Sequence, residues 1–205
     1  MNTYKRIINN KDNNNFQNNL AWSEGISDKI LRPGFYNYVF DNWVPITNFP
    51  YKSKALDLQK QGIDIVARAS KLCSWAPEGE NIFIDEKIQR PPAQFKSWNS
   101  FAFETKNNNC INNLGWANKE FKYGQFILFA FLNEDYDSMN IFILNSCIIK
   151  DVLKAEKWEK KVLKNGQSEL TLVPHNFVLE NYANNVYHYS VWETGFKLAR
   201  QKVLF

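Results

Sequence analysis

The sequence predicts an α+β fold, with a mixed or antiparallel central β-sheet flanked by helices. Three observations carry this. Apolar residues recur at helical spacing near the N-terminus, at Phe16, Leu20, Ile26, Ile30 and Leu31. Several β-type runs then follow in series with no helical pattern between them. A Lys/Glu-rich stretch of helical character comes after them. Strands in series, with helices kept to the two ends, point to α+β and not to alternating βαβ units.

Taken in order, residues 1–15 are polar and Asn-rich and read as a loose tail. Asn13, Asn14 and Asn15 offer a helix N-cap, and Pro33-Gly34 offers a stop, so a helix or two is expected over 16–31. Residues 35–51 hold aromatics, Pro45 and Pro50 without a clear period, and read as a packed connector. The segment KSKALDLQKQ, 52–61, suits a short helix or a strand. GIDIVARA, 62–69, is the first strand. A turn with Pro77 and Gly79 leads to NIFIDEKIQ, 81–89, the second, which Arg90-Pro91-Pro92 stops. SFAFETK, 100–106, GQFILFAFL, 124–132, and NIFILNSCII, 140–149, are the third, fourth and fifth. The last runs into a helix expected over 150–163, with a turn at Asn165-Gly166. Short strands are expected at 170–173 and 186–191, and a final helix at 194–202.

Composition narrows the class. At 205 residues and 24.1 kDa the chain suits one domain over 16–205, with a core of about 56–150 and a C-terminal extension of 151–205. Apolar residues make up 44% and aromatics 16%, which excludes disorder for most of the chain. The strongest apolar run, 126–132, is far shorter than the roughly 20 residues of a membrane span. The N-terminus has no apolar core of a secretory signal. Cys73, Cys110 and Cys147 are odd in number and widely spaced, and His175 and His188 are the two histidines. A zinc site or a disulfide framework is therefore not expected, and a reducing cytoplasm is. Cys73 and Cys147 lie among apolar residues and read as small core side chains. The net charge of +4 permits a polyanionic partner without demanding one. There is no P-loop, no GxGxxG and no GxSxG.

The chemistry gathers in two neighbouring runs. In GIDIV, Asp64 stands between Ile63 and Ile65. In IFIDEKI, Asp85 and Lys87 are two apart, so a strand puts both on one face together with Gln89 and turns Glu86 to the other. Charges inside apolar strands are costly unless paired or metal-bound. Two carboxylates can hold a divalent cation through hard oxygens, and a lysine can neutralise a reacting phosphate. A second register is open: Glu104-Thr105-Lys106 is also E-x-K, with Asp85 then as the first acid. The Asp64/Asp85/Lys87 register is preferred because a turn joins its two strands into a hairpin. Lys52, Lys54 and Lys60 precede the first acid and suit phosphate contacts, and the basic segment 154–167 could follow a phosphate backbone. Trp75, Trp98 and Trp116 could stack on bases.

The spacing Asp64-x20-Asp85-x-Lys87, with FAFE at 101–104 and Gly115-Trp116, resembles the PD-(D/E)xK nuclease superfamily over about 56–132. The resemblance implies a restriction-endonuclease-like core in which a mixed sheet presents a metal site. It implies a Mg²⁺- or Mn²⁺-dependent endodeoxyribonuclease, of restriction or mobile-element type, acting on DNA, most simply duplex. Asp64 and Asp85 would bind the metal with the backbone carbonyl of Glu86. Lys87 and Gln89 would be catalytic, Lys87 at the attacking water and the transition state and Gln89 orienting it or a phosphate oxygen. Glu104, Glu24 and Asp57 would be supporting acids. A homodimer would suit cleavage of both strands, and no membrane is implied. The alternative is a non-catalytic nucleic-acid- or protein-binding module on the same fold.

Overall fold

The computed structural model describes residues 16–89, 99–108, 112, 114–118, 120, 125–133, 138–163, 168–192 and 195–197. The expected tail, the Arg90-Pro91-Pro92 stop, Cys110, Trp98 and the Asn165-Gly166 turn lie outside these residues.

The first helix, α1 (Phe16–Ile26), does not stop at Pro33-Gly34. It widens into a π-helical stretch, Ser27–Tyr36, with Pro33 inside it, and closes with one α turn, Asn37–Val39. Its buried stripe is Trp22, Ile26, Leu31, Phe35, Tyr36 and Val39. The connector expected over 35–51 contains a strand, β1 (Phe40–Pro45). The ambiguous segment is a helix, α2 (Lys52–Lys60).

Then come β2 (Ile65–Ala69), β3 (Asn81–Gln89), β4 (Ser100–Asn107), β5 (Gln125–Leu132) and β6 (Ser138–Asn145). The helix expected over 150–163 is only half that length. It is α3 (Ile149–Ala155), and the chain then forms β7 (Glu159–Val162) against β8 (Ser168–Pro174). A short helix not foreseen, α4 (His175–Asn181), precedes β9 (Val186–Trp192). β10 (Gly195–Lys197) pairs with β9 where the final helix was expected, the rest of which lies outside the described residues.

The strands form two sheets. The larger has seven strands in the order β1-β2-β3-β5-β6-β9-β10, and the smaller runs β4-β8-β7. The larger sheet is mixed, because β3 and β5 are parallel while its other pairs are antiparallel. The third expected strand, β4, is thus not a neighbour of β3 in the sheet.

Alternation along β5 divides the core. Phe126, Leu128, Ala130 and Leu132 face α1 and its π-helical continuation, in a cluster with Ile65, Ile84 and Ile141. Ile127, Phe129 and Phe131 face the smaller sheet, packing on Phe101, Phe103 and Val173, with α3 and α4 adding Ile149, Val152 and Val178. Helices therefore cover one face of the central sheet, and a second sheet with two short helices covers the other. The fold is α+β with a mixed sheet, as expected, but its flanking layers are not purely helical. Among the described residues no helix is long and apolar enough to cross a membrane.

Candidate active site

The site begins at the end of α2. Gly62 has φ +78°, in the left-handed region that favours glycine. The N–H of Ile63 donates to the Leu58 carbonyl at 3.1 Å and that of Gly62 to the Gln59 carbonyl at 2.9 Å. This pair of bonds is the Schellman motif. Its apolar contact is present too, since Leu58 and Ile63 share a small buried cluster with Ile46. The cap turns the chain from α2 toward β2 and places Asp64 one residue before that strand.

The β2–β3 ladder ends where Ile65 pairs with Ile84. Asp64 continues it by other means. Its N–H donates to the Ile84 carbonyl at 2.8 Å, and its Oδ2 accepts the backbone N–H of Glu86 at 2.8 Å. A side chain thus takes a donor that the strand pairing leaves over.

Asp85 and Lys87 lie on the face of β3 that looks toward the smaller sheet, in register with Ile127 and Phe129 of β5. Asp85 is 2% exposed, and the Lys87 ammonium forms an ion pair with its Oδ1. The Asp64 carboxyl lies within electrostatic reach of Asp85, whose charge acts on it. A methyl group on Gly62 would lie 3.3 Å from Asp85 Oδ2, so the glycine also leaves room for this carboxylate.

The electrostatics follow from burial. Removal from water pushes the Asp64 carboxyl up to about 7, and the Asp85 charge adds to this against Lys87 and the Glu86 N–H. Burial raises Asp85 as well, opposed by Lys87. Burial works against the Lys87 ammonium, but Asp85 and Asp64 outweigh it and its pKa is raised, with Glu104 contributing. Two buried carboxyls whose charges oppose each other, beside an ammonium, suit a divalent cation, which would relieve the like-charge contact. Among the described residues no group of three or more His, Cys, Asp and Glu gathers to hold a metal.

Glu86 points to the opposite face, as alternation requires, and meets the π-helical stretch. Tyr36 donates to its Oε1 at 2.7 Å, Arg32 to its Oε2 at 3.0 Å, and Ser27 to both oxygens at 3.1 and 3.0 Å. Asp28 pairs with Arg32 from the outer side. Burial raises the Glu86 carboxyl, opposed by Arg32 and Tyr36. This cluster was not foreseen. The signal available was Glu86 itself, an acid placed between Ile84 and Ile88 on a core-facing row.

Trp116 stands over Lys87, with the ammonium 5.0 Å from its ring centroid. It packs on Phe103 and Phe129 at 5.7 and 6.2 Å.

The other expected residues fall as follows. Gln89 ends β3, half-buried, on the same face as Asp85 and Lys87. Glu104, on β4, accepts from Ser168 at 2.7 Å and Asn107 at 3.1 Å, and it touches the site through its charge on Lys87. Lys106 of the second register is exposed and pairs with Glu169 on the neighbouring strand β8. Glu24 on α1 and Asp57 on α2 are exposed and enter none of the hydrogen bonds or ion pairs that join Asp64, Asp85 and Lys87. Lys52, Lys54 and Lys60 are exposed along α2. Trp75 is buried between Phe40 and Phe126 and is a core residue, not a base platform. Cys73 is buried, whereas Cys147 is exposed, contrary to its apolar sequence surroundings.

Compared with protein-family models, with curated proteins and with solved structures, the chain matches none.

Proposed function

We propose that the chain is a metal-dependent endodeoxyribonuclease that hydrolyses DNA phosphodiester bonds at Asp64, Asp85 and Lys87. The observation that carries this reading is the convergence of Asp64, held by the Glu86 N–H at 2.8 Å, on Asp85 and its paired Lys87 ammonium. Asp64, Asp85 and the Glu86 carbonyl would hold Mg²⁺ or Mn²⁺. The bound metal would supply Lewis acidity to the phosphate oxygens.

The chain's own residues have separate tasks. Asp64, held by the Glu86 N–H at 2.8 Å, would offer its carboxylate to the metal. Lys87, 24% exposed, keeps its ammonium against Asp85 and presents it to the reacting phosphate, whose added negative charge it offsets. Gln89, next on the same face, orients a phosphate oxygen. The exposed lysines of α2 hold the backbone on either side. Water adds to phosphorus, the bond to one sugar oxygen breaks, and that oxygen leaves with a proton.

The test is cleavage of supercoiled plasmid and single-stranded DNA with Mg²⁺ or Mn²⁺, comparing wild type with Asp85→Asn and Lys87→Ala. Metal-dependent nicking lost in both variants, with melting temperatures retained, supports the reading. Nicking that survives both overturns the assignment of the site.

One observation favours the second reading, a non-catalytic nucleic-acid- or protein-binding module. Lys87 is already engaged by Asp85 and by Trp116, which is also what a purely structural ion pair requires. Calorimetric titration with Mn²⁺ separates the two, since the module has no need of a metal.

A further inference from the structure

We propose that Trp116 is a positioning residue for Lys87, holding the ammonium against Asp85 through its ring face, and that an irregularity in β4 puts it there. Its catalytic consequence rests on the nuclease reading above; the clamp itself does not.

Four observations converge. The Lys87 nitrogen is 5.0 Å from the centre of the Trp116 ring, inside the range of cation–π attraction. Trp116 is itself wedged against Phe103 and Phe129, so its ring is not free to turn away. The pairing of β4 with β8 slips between Glu104 and Lys106, which leaves Thr105 as a bulge residue. The carbonyl of Thr105 then accepts both the N–H of Gly115, at 3.2 Å, and the side-chain amide of Asn118, at 2.8 Å. These two bonds bracket Trp116.

Gly115 completes the device. A Cβ there would lie 2.1 Å from the Glu104 carbonyl oxygen, so only glycine lets the segment approach β4 this closely. Strand bulges commonly re-aim side chains beside functional sites. Here the bulge does so indirectly, by docking a separate segment whose indole reaches across to β3. A lysine carries its ammonium on a flexible four-carbon stem and can swing it in many directions. The indole face on one side and Asp85 on the other restrict it to one.

The experiment uses the full chain. Trp116→Phe keeps an aromatic face, and Trp116→Leu keeps bulk without one. With DNA and Mg²⁺, the Leu variant is expected to lose about tenfold in kcat with KM unchanged, and the Phe variant to stay within about twofold of wild type, a span set by cation–π strengths. Equal losses in Phe and Leu variants, or a loss confined to KM, overturn the proposal. A second measurement does not depend on cleavage. Urea unfolding of Lys87→Met, Trp116→Leu and the double variant forms a thermodynamic cycle. Non-additive effects support the clamp. Additive effects overturn it, whatever the cleavage assay gives. Non-additivity in a wild-type protein that cuts no DNA with any metal retains the clamp and removes the nuclease reading.

Discussion

The backbone N–H of Glu86 donates to the Asp64 carboxylate at 2.8 Å, so the strand that bears the second acid also holds the first. Asp85, Glu86 and Lys87 are consecutive on β3, and each faces a different neighbour: Asp85 the Asp64 carboxyl beside it in the same sheet, Glu86 the π-helical stretch, Lys87 the Trp116 ring. Three neighbouring residues thereby tie the site to both flanking layers of the fold.

Asp64→Asn is expected to raise the melting temperature at pH 8 in chelator. The amide oxygen still accepts from Glu86, and the charge that opposes Asp85 is gone. The same variant is expected to lose the stabilisation that Mg²⁺ or Mn²⁺ confers on wild type, because one of the two ligand carboxylates is neutral. Differential scanning fluorimetry with and without metal reads both effects. A melting point that falls in chelator would contradict the electrostatic account.

Glu86→Ala is expected to destabilise by about 3–5 kcal/mol, since it leaves the Arg32 guanidinium buried with only Asp28 beside it. Tyr36→Phe removes a single donor to the same carboxylate and is expected to cost about 1.5–3 kcal/mol. Urea denaturation midpoints give the order, and an Ala variant no worse than the Phe variant would refute it.

The two glycines at the site differ in what they forbid. Gly62→Ala meets a left-handed φ of +78° and a carboxylate oxygen at 3.3 Å, and is expected to cost about 1–2 kcal/mol. Gly115→Ala has an ordinary φ for a side chain but a backbone oxygen 2.1 Å away, so β4 or the docked segment must move. The second is expected to be the more damaging in thermal melts and the first the more damaging to metal binding.

His175 is expected to withdraw stability in mild acid, against the gain that protonation of Asp64 brings over the same range. Its ring is buried among Phe101, Phe131 and Phe142, and burial pushes its pKa down from 6.5 to about 4. The unfolded chain then binds the proton more readily than the folded one. Stability contributed by the neutral ring is present in full above pH 6.5 and is lost as pH falls toward 4. The loss is on the order of 3 kcal/mol. Stability at pH 4.5 relative to pH 7, read from unfolding curves, is expected to be higher in His175→Phe than in wild type.

Much of the chain was legible because local pattern decides it. NIFIDEKIQ has one residue row for each face, and β3 runs over those nine residues. The face assignment of Asp85, Glu86 and Lys87 followed from the same period of two. Lys157 to Leu163 was misread because lysine and glutamate suit an exposed helix as well as an exposed strand, and pairing with β8 decided between them. β1 was hidden because Phe40–Pro45 alternates poorly, with Asp41 and Asn42 both exposed. The division into two sheets was not legible, since β4 reads like any strand and its partner lies more than 60 residues later. At the site, the spacing named Asp64 and Asp85 but could not bring them together; the Schellman turn does that. Trp116 was legible as an aromatic, and its place over Lys87 depends on a carbonyl of β4 that no sequence pattern marks.

The strand that replaced the expected helix has a consequence for how molecules meet one another. The outer side of β4 is taken up by a bridge from Lys106 to Leu114 and by the segment docked on Thr105. At the other margin of the smaller sheet, all four residues of β7, Glu159, Lys160, Lys161 and Val162, are exposed. A bare strand margin is a template for intermolecular pairing and fibril growth. Here the template is only four residues long and three of them are charged. A second copy approaching in register would set like charges against each other and remove them from water, so brevity and charge keep this margin from recruiting its own kind.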